Sequence, residues 1–442
     1  MVICSCTDLL DVPLDKSIIA EDKIFNNDVT ATAAVSAMYN TLVEFSALSA
    51  KPNGVSALTS LSANELTNAL EVGSFIEFET HQISQENTEI QSTWTSIYNI
   101  IYQSNAIIEG LSKSTELSQT KSKQLEGEAR FVRAFCYFYL INLFGEIPLI
   151  TSTDYNINKI ASRTSTDKIY DLIINDLTLS HENLNINYPS TFRARPNKMA
   201  AAALLARVHL YVNNYEKSEQ YATAVINDPT YFLTDIQSVF LKESPETIWQ
   251  LASTNEAYAT LEGFYFILTS TPSDNILSPS FISTIPQNDA RRSAWIGEYY
   301  DADLDTTYYF PYKYKVKVNE IPNPPAEYSI VLRLSEIYLI RAEARVKQNK
   351  NIDALSDLNI IHSRAETGEI NETDTQVIID AIAKERRIEL FTEWAHIWFD
   401  LKRTNRAVED IGNGLVKSGL LYPIPKSEFN KNKNLGKQND GY

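Results

Sequence analysis

Residues 126–149 read Glu-Gly-Glu-Ala-Arg-Phe-Val-Arg-Ala-Phe-Cys-Tyr-Phe-Tyr-Leu-Ile-Asn-Leu-Phe-Gly-Glu-Ile-Pro-Leu, and this stretch indicates the architecture around it. Phe131, Phe135 and Phe138 follow one another at helical spacing, so their rings share one face of a helix. Gly145, followed three residues later by a proline, marks the end of that helix, because glycine closes helices and proline cannot continue them. The stretch predicts a long helix with an aromatic face.

Helical periodicity continues in both directions from this segment. Upstream, Trp94 and Tyr98 lie on one helical face, and we expect both, with Phe131 and Phe135, to be core residues. Downstream, the same periodicity predicts helices over residues 166–184, 197–213, 215–227, 331–348, 352–364 and 375–403. The predicted fold class is therefore mainly α.

Two of these helix pairs share a spacing of small residues. Ala206 and Ser218 are separated by 12 residues, as are Ala342 and Ala354. Small residues at this separation let the two helices of a tetratricopeptide-type hairpin, within a repeat of about 34 residues, approach closely. Alanine-rich helix pairs also share such spacing by chance, so the pattern favours helical hairpins without requiring them.

Two stretches lack helical periodicity. Residues 231–328 contain a strand-like run at 248–251, scattered prolines and a tyrosine-rich segment, and residues 50–89 are polar. The sequence predicts that both are loop-rich, the first as an insertion with short strands between two helical halves. Loops on a rigid scaffold are where binding residues concentrate, so we expect ligand contacts there.

Aromatic residues in these two stretches are the candidate ligand contacts. Aromatic rings stack on the apolar faces of sugars and also anchor protein interfaces. The candidates are Phe75, Phe78, Tyr258, Phe264, Tyr265, Trp295, Tyr299, Tyr300, Tyr308 and Tyr309. Ordinary packing within the loops is the alternative interpretation for each of them.

Composition excludes several function classes. The 442 residues include 56 acidic and 39 basic side chains, a formal charge of −17, whereas nucleic-acid binding draws on clustered Lys and Arg. No glycine lies between Gly145 and Gly263, which excludes a phosphate-binding glycine loop from that span. The five histidines include no pair at metal-binding spacing, and the three cysteines form no disulfide or zinc framework. We predict no nucleic-acid partner, no metal and no cofactor.

Catalytic motifs are also missing from the sequence. It contains no Gly-x-Ser-x-Gly nucleophile elbow, and Cys136 lies between aromatic residues of a predicted helix, as a small buried residue does. A pair of carboxylates for glycoside hydrolysis can be neither found nor excluded in a chain this rich in acids. We predict that the protein is not an enzyme.

The N-terminus carries a possible lipidation site. No run of 18 apolar residues exists, so the sequence predicts no membrane-spanning helix. Residues 3–6 read Ile-Cys-Ser-Cys, which places a small residue before Cys6, as in the cleavage site of a bacterial lipoprotein. Cys4 is the poorer choice because bulky Ile3 would occupy the small-residue position. A chance Cys-Ser-Cys at a ragged terminus is the alternative.

Several segments, in order along the chain, resemble the SusD/RagB family of Bacteroidetes outer-membrane lipoproteins. The resemblance extends from Cys6 to the last residue. Its motifs are residues 8–13 (DLLDVP), the helix from Trp94 to Asn105, 128–134 (EARFVRA), 144–149 (FGEIPL), 289–292 (DARR), 333–344 (RLSEIYLIRAEA), 385–390 (ERRIEL), 399–403 (FDLKR) and 438–442 (QNDGY).

The resemblance implies one large helical domain with tetratricopeptide-type hairpins and an irregular ligand-binding lobe. Within it, residues 1–6 are expected to be the remnant of a lipoprotein signal with the acylated cysteine. Residues 7–230 are expected to form the N-terminal helical part, 231–328 the ligand lobe and 329–442 the C-terminal helical part.

The resemblance also implies a function. Such proteins are surface-exposed, lipid-anchored components of the outer membrane that deliver nutrients to a SusC-like TonB-dependent transporter. Best-known members bind oligosaccharides and others bind peptides, so a peptide-binding RagB-like protein is one alternative. A helical adaptor without a small ligand is another. Of the proposed site residues, the resemblance supports only Cys6, as the acylated residue.

The sequence departs from the family pattern at two places. After Glu389-Leu390 the family usually has Glu-Gly-x-Arg, whereas here Trp394 stands at the glycine position and His396 at the arginine position. Asp440 replaces a proline near the C-terminus. Both changes lie in structural motifs, so we expect them to affect local packing more than function.

Overall fold

The computed structural model describes residues 21–48, 51, 53–70, 73–255, 257–319, 326–412 and 414–442. Cys4 and Cys6 lie outside the described residues. Cys136 is buried, as expected, and burial raises the pKa of its thiol well above the ordinary value.

Helices make up most of the described chain, which confirms the mainly α fold class. They are α1 (Glu21–Ile24), α2 (Asp28–Asn40), α3 (Val55–Ser62), α4 (Ile76–Glu79), α5 (Thr88–Lys113), α6 (Gln119–Phe144), α7 (Tyr155–Asn158), α8 (Thr166–Asn183), α9 (Lys198–Tyr211), α10 (Tyr215–Ile226), α11 (Leu261–Phe266), α12 (Pro279–Thr284), α13 (Ala290–Trp295), α14 (Leu334–Val346), α15 (Asn351–Arg364), α16 (Thr375–Glu389), α17 (His396–Arg403), α18 (Ala407–Ile411) and α19 (Lys426–Lys431). A π-helix covers Thr41–Phe45, and 3₁₀ turns cover Thr191–Arg193, Lys417–Leu420 and Lys433–Leu435.

Short strands form four antiparallel pairs between these helices. The strands are β1 (Leu66–Asn68), β2 (Ile147–Pro148), β3 (Arg163–Thr164), β4 (Thr247–Leu251), β5 (Asn275–Leu277), β6 (Ile296–Asp301), β7 (Thr306–Pro311) and β8 (Ser329–Arg333). The pairs are β1 with β5, β2 with β3, β4 with β8, and β6 with β7. The last pair is a tight hairpin and β2 and β3 are also consecutive strands, so the other two pairs join distant parts of the chain.

Helix α6 is the centre of the core. It packs between α5 and α8, and its aromatic residues are buried on every side. Phe131 and Phe135 meet the ring of Trp249 on β4 edge to face, at centroid distances of 4.8 and 5.2 Å. Gly145 ends the helix with a φ of +72°, and a Cβ there would lie 2.7 Å from Leu421. The helix predicted from residues 126–149 is confirmed.

Signature residues of α6 pair with neighbouring elements. Arg130 and Arg133 both donate to the buried carboxylate of Asp176 on α8, at 2.8 Å. Glu128 accepts two hydrogen bonds of 2.7 Å from Arg195, which lies just before α9. The charged residues of the 128–134 motif therefore hold the scaffold together.

The two predicted helical hairpins are present. Helix α9 packs against α10, α14 packs against α15, and α10 packs against α14. Ser218 donates its hydroxyl to the carbonyl oxygen of Ala206 at 2.9 Å, which shows how closely the first pair approaches. Ala342 and Ala354 are fully buried in the second. The small residues at these positions allow the two helices of each hairpin to pack closely, as their spacing predicted.

Two predicted helices have different limits in the structure. Residues 331–333 belong to β8, because Leu332 and Arg333 pair with β4 before α14 begins. The helix predicted over 375–403 is broken into α16 and α17. At the break, Trp394 and Ala395 have φ angles of +44° and +63°, which L-residues rarely adopt. Trp394 therefore occupies a conformation suited to the glycine that the family usually has there.

The expectation that residues 50–89 form a polar loop is wrong. This stretch contains α3, β1 and α4, and all eight residues of α3 are buried. Its serines and threonines are polar by composition, but their hydroxyls are satisfied locally or by distant partners. Ser56, for example, accepts from the backbone N–H of Trp394 at 3.1 Å.

The stretch 231–328 is also more regular than expected. It contains three short helices, the predicted strand β4, and a hairpin of β6 and β7 with six paired positions. The tyrosine-rich segment is therefore an antiparallel ribbon, which agrees with the β-propensity of Tyr and Thr.

The C-terminal signature segments converge on one buried ion cluster, which we call the Glu389 cluster. Its members are Glu246, Asp289, Arg291, Lys313, Arg333, Arg364, Glu385, Glu389 and Glu393. They come from the 289–292, 333–344 and 385–390 motifs and from the elements around them. These three motifs therefore have a packing role.

Glu389 is the hub of this cluster. Its Oε1 accepts from Arg333 and Arg364, each at 2.5 Å, and its Oε2 accepts from Arg291 at 2.7 Å. Burial alone would raise the pKa of Glu389, but the three arginines hold it well below the ordinary value. The cluster ties α13, which carries Arg291, to α15 and α16.

Candidate ligand-binding site

Two of the candidate ligand contacts are core residues, which corrects the expectation for them. Phe78 lies on α4 with 0% exposure, and its ring packs on Tyr422 at 5.2 Å. Trp295 ends α13 with 1% exposure and donates its indole N–H to the carbonyl oxygen of Ile236 at 3.0 Å. Sequence reasoning missed this because both residues lie in short helices of stretches that were expected to be irregular.

Phe75 has an intermediate position. It directly precedes α4, is half-buried and packs against the main core. Its contact with a ligand stays a prediction.

The four remaining tyrosines of the ribbon form a separate group. Tyr299 lies opposite Tyr308 in the ladder, and Tyr300 is exposed, with its hydroxyl donating to Asp305 at 2.7 Å. Tyr308 and Tyr309 line a pocket of about 240 Å³ together with residues of β5 and α12. The ribbon is therefore a second aromatic surface, and its contact with a ligand also stays a prediction.

Tyr258, Phe264 and Tyr265 form one group of touching rings. The centroids of Tyr258 and Phe264 are 5.3 Å apart, and Phe264 meets Tyr265 edge to face at 4.9 Å. All three rings are exposed or half-buried. The structure thus brings together three of the residues that the sequence proposed.

Helix α11 holds Phe264 and Tyr265 in place. The hydroxyl of Thr260 caps its N-terminus by accepting from Gly263 N at 3.0 Å. Gly263 allows close packing, because a Cβ there would lie 2.3 Å from the carbonyl oxygen of Val316. Lys317 binds the other end, donating to the carbonyl oxygens of Phe264 and Ile267 at 2.9 and 2.6 Å. This short helix is therefore fixed at both ends.

A carboxylate lies beside the rings. Glu44 accepts from Ser253 Oγ at 3.0 Å, from Thr254 N at 2.8 Å and Thr254 Oγ1 at 3.1 Å, and from Tyr258 OH at 3.2 Å. Burial and then the charge of Glu44 raise the pKa of Tyr258, so its hydroxyl stays protonated and remains a donor. Glu44 therefore fixes the loop that carries Tyr258.

Sequence reasoning missed the side of this site that comes from residues 40–45. Phe45 is 69% exposed, next to Glu44, and Asn40 accepts from Thr254 Oγ1 at 3.1 Å. Both Glu44 and Phe45 belong to the π-helix, whose wider turn changes which residues face outward, and such turns are frequent at functional sites. A helical wheel with 3.6 residues per turn gives no signal for this. We call the whole surface the Glu44 face; it consists of Asn40, Glu44, Phe45, Thr254, Tyr258, Phe264 and Tyr265.

A buried acid lies behind the Glu44 face. Glu262 on α11 accepts a hydrogen bond from Ser329, and burial raises the pKa of its carboxyl to about 7. Its second oxygen has no hydrogen-bond partner among the described residues. The support of α11 is therefore sensitive to pH near neutrality.

A larger cleft of about 940 Å³ lies on the helical side, bordered by α14, α16 and α17. Several of its charged groups pair with one another, as in Arg403 with Glu343 at 2.5 Å and Arg406 with Asp380 at 2.6 Å. Tyr215 is its only aromatic lining residue among those described. The cleft lacks the ring cluster that the Glu44 face has.

Within the described residues, no three His, Cys, Asp or Glu side chains are grouped so that they could hold a metal ion. None of the helices in the described part of the chain is long and apolar enough to cross a membrane.

Family models match both halves of the chain. Residues 9–210 match a model described as "Starch-binding associating with outer membrane", and residues 298–414 match one described as "SusD family". The chain belongs to the SusD/RagB family. The 333–344 and 385–390 motifs, which supply Arg333, Glu385 and Glu389 to the Glu389 cluster, lie within the second matched range.

Relatives and solved structures of SusD type agree with this. SusD-like protein P2 of Formosa agariphila is 28% identical over 100% of this chain and 98% of its own length. The starch-binding protein SusD of Bacteroides thetaiotaomicron is 34% identical over 25% of this chain and 21% of its own. A SusD-like crystal structure from Bacteroides fragilis matches with a TM-score of 0.80 at 22% identity, covering 98% of this chain and all of that one. A laminarin-binding SusD-like protein matches with a TM-score of 0.81 at 22% identity, covering 95% and 100%. The structural matches show a shared SusD fold.

Proposed function

We propose that this SusD-family protein is a cell-surface nutrient-binding lipoprotein that captures oligosaccharides on the Glu44 face and delivers them to a SusC-like TonB-dependent transporter. The observation that carries the proposal is the Glu44 face itself. It presents touching aromatic rings beside hydrogen-bonding side chains, on a loop and a short helix that are fixed by the scaffold. The family description as starch-binding and the laminarin-binding neighbour support a saccharide as ligand.

The mechanism is binding without chemical change. The faces of Tyr258, Phe264 and Tyr265, with exposed Phe45, would stack on the C–H groups of sugar rings. Sugar hydroxyls would donate to the oxygens of Glu44 and Asn40, which already accept from the protein but have further acceptor capacity. Because these groups are held in place before the ligand arrives, little ordering remains to oppose binding.

The remaining parts of the proposal concern the anchor and the partner. Acylation of Cys6 would hold the protein at the outer-membrane surface, and a single acyl chain binds only marginally, so several chains or the transporter must contribute. The helical hairpins would contact the transporter. The family description as associating with the outer membrane supports this arrangement.

Calorimetric titration tests the saccharide assignment. The wild-type protein is titrated with laminari- and malto-oligosaccharides and with a panel of mixed peptides. Replacing Tyr258 or Phe264 by Ala is expected to weaken saccharide binding about tenfold, since each removes one stacked ring. Tyr155→Ala serves as the matched control, because Tyr155 is also exposed but lies on α7, away from the Glu44 face.

Two other outcomes would overturn the proposal. Binding of peptides without any saccharide would indicate a RagB-like peptide importer, for which the carboxylate of Glu44 would be a counter-ion to basic side chains. Binding of neither class would indicate a helical adaptor. Incubation with the same glycans followed by product analysis is expected to yield no cleavage products.

A further inference from the structure

Phe192, an exposed aromatic residue outside the Glu44 face, has an unusual backbone conformation. Phe192 and Arg193 are consecutive, and both have positive φ angles, +51° and +56°. Neither is glycine, and two neighbouring residues of this kind persist only where the surroundings fix them. Such conformations cluster at functional sites.

Arg193 fixes the turn through hydrogen bonds to the backbone of neighbouring segments. Its guanidinium donates to the backbone carbonyl oxygens of Thr230, Ser244, Pro245 and Thr247. It also lies over the ring of Tyr231, 5.1 Å from the centroid. The buried amide of Gln250 on β4 donates to the carbonyl oxygen of Phe192. The backbone of the turn is therefore tied to the strand that runs toward the Glu44 face.

The turn displays the ring of Phe192 at the surface. The ring is 38% exposed and meets the half-buried ring of Tyr328 edge to face, at 5.9 Å and 88°. The ammonium nitrogen of Lys242 lies 4.7 Å from its centroid. An aromatic face, a phenol and a cation thus share one small area.

Lys242 differs from the other lysines that lie over rings in the described chain. Lys159, Lys313, Lys315, Lys317 and Lys402 each donate a hydrogen bond from the ammonium group to an oxygen. Within the same residues, no such bond and no ion pair involves the ammonium of Lys242. A cation in a chain of formal charge −17 is therefore left with its donors directed to solvent or to a ligand.

We propose that Phe192, Lys242 and Tyr328 form a subsite for an anionic saccharide, a sugar that carries a carboxylate or a sulfate. The sugar ring would stack on Phe192, its acidic group would pair with Lys242, and the hydroxyl of Tyr328 would hydrogen-bond the ring substituents. This inference rests on the proposed function and specifies its ligand class.

The subsite is connected to the support of the Glu44 face through the chain at Tyr328 and Ser329. Ser329, which directly follows Tyr328, donates to Glu262 on α11, the helix that carries Phe264 and Tyr265. A ligand long enough to reach both surfaces would place neutral sugar units on the Glu44 face and a charged unit on the subsite. The neutral unit would be held by rings and the charged unit selected by Lys242.

Titration with three oligosaccharides of matched length tests this inference. One is neutral, one contains uronate and one is sulfated. Lys242→Met is expected to weaken binding of an anionic oligosaccharide about fivefold and to leave the neutral one unchanged, as for loss of one partly exposed ion pair. Lys242→Arg is expected to retain most of the affinity. Added salt should weaken anionic binding to the wild type more than to Lys242→Met.

Two further variants distinguish a contribution of the Phe192 ring to binding from an effect on folding. Phe192→Asn removes the ring while keeping a residue that tolerates positive φ, and it is expected to weaken binding of the same oligosaccharide. Lys159→Met removes a lysine over an aromatic ring elsewhere, on Tyr155, and should change nothing. Comparison of the uronate and sulfate titrations shows which acidic group the subsite takes.

The inference is overturned if Lys242→Met binds anionic oligosaccharides as tightly as the wild type does, or if only neutral ones bind. In either case, weaker binding of neutral oligosaccharides by Tyr258→Ala would still support the proposed function. If no saccharide of any kind binds to the wild type, the proposed function fails and this inference with it.

Discussion

Glu389 offers the sharpest test of how the scaffold is held together. Glu389→Gln keeps the shape of the side chain but removes its charge. Three arginines, Arg291, Arg333 and Arg364, each donate to it at 2.5 to 2.7 Å. Arg291 and Arg333 are buried, and the side chain of Arg364 is 9% exposed. The amide of glutamine would also turn a donor toward one of these donors, so at least one contact becomes unfavourable.

The expected loss of stability is large for a single substitution. Removing one partner of a buried ion pair typically costs about 3–5 kcal/mol, because the remaining charges stay buried. Unfolding entropy is about 2.1 cal/mol/K per residue, so for a chain of 442 residues this corresponds to a fall in Tm of about 3–5 °C at pH 7. Thermal unfolding followed by circular dichroism at a fixed scan rate measures it.

Glu86→Gln is the matched control. Glu86 and Lys426 form an ion pair of 2.5 Å, but both side chains are exposed, so solvent and salt screen the pair and Tm should not change measurably.

The pH dependence of the stability difference adds a second check. The pKa of Glu389 is depressed in the folded protein, so its stabilisation is present above its ordinary pKa of about 4.3 and is lost as pH falls. The difference between wild type and Glu389→Gln should therefore narrow on acidification. A fall in Tm below about 1 °C at pH 7 would refute the reasoning.

Three further predictions concern other parts of the molecule. Burial raises the pKa of Glu262 to about 7, so the folded protein holds this proton more tightly than the unfolded chain does. The contribution of Glu262 to the free energy of unfolding therefore falls as pH rises from about 4.5 to 7. Glu262→Gln has no proton to lose, so its Tm relative to wild type should be higher at pH 8 than at pH 5; an unchanged difference would contradict this. Glu366 follows α15 with a φ of +60° and is exposed, so Glu366→Gly should raise stability by about 1 kcal/mol in thermal unfolding, whereas Glu369→Gly, at an exposed position without positive φ, should not. Cys6→Ala should release the protein from the membrane fraction of cells that lack the transporter, and continued membrane association there would count against acylation of Cys6.

The helical scaffold was largely predictable because its signals are local. Phe131, Phe135 and Trp94 are buried as their spacing indicates, and the small residues Ala206 and Ser218 bring their helices together. Errors occurred where a long-range contact decides the structure. Val331 extends a helical pattern in the sequence, yet it belongs to a strand because β4 pairs with its neighbours Ile330 and Leu332. The serine-rich α3 reads as a loop, yet it is buried because other parts of the chain cover it.

The candidate site was predictable only in part. Aromatic residues in a stretch without helical periodicity pointed to Tyr258, Phe264 and Tyr265, which lie together. The same reasoning pointed to Phe78 and Trp295, which are buried by contacts with Tyr422 and Ile236. Composition shows that rings are present, but exposure depends on which distant residues pack over them.

The sequence by itself determined the mainly α fold, the helical hairpins and the family, since periodicity, spacing and motifs are properties of neighbouring residues. Only the tertiary structure decided which rings remain free to meet a ligand and which carboxylate accompanies them. Glu44 and Tyr258 are 214 residues apart in the chain and touch at 3.2 Å. A contact of that kind arises from the packing of the whole domain, for which a local pattern carries no signal.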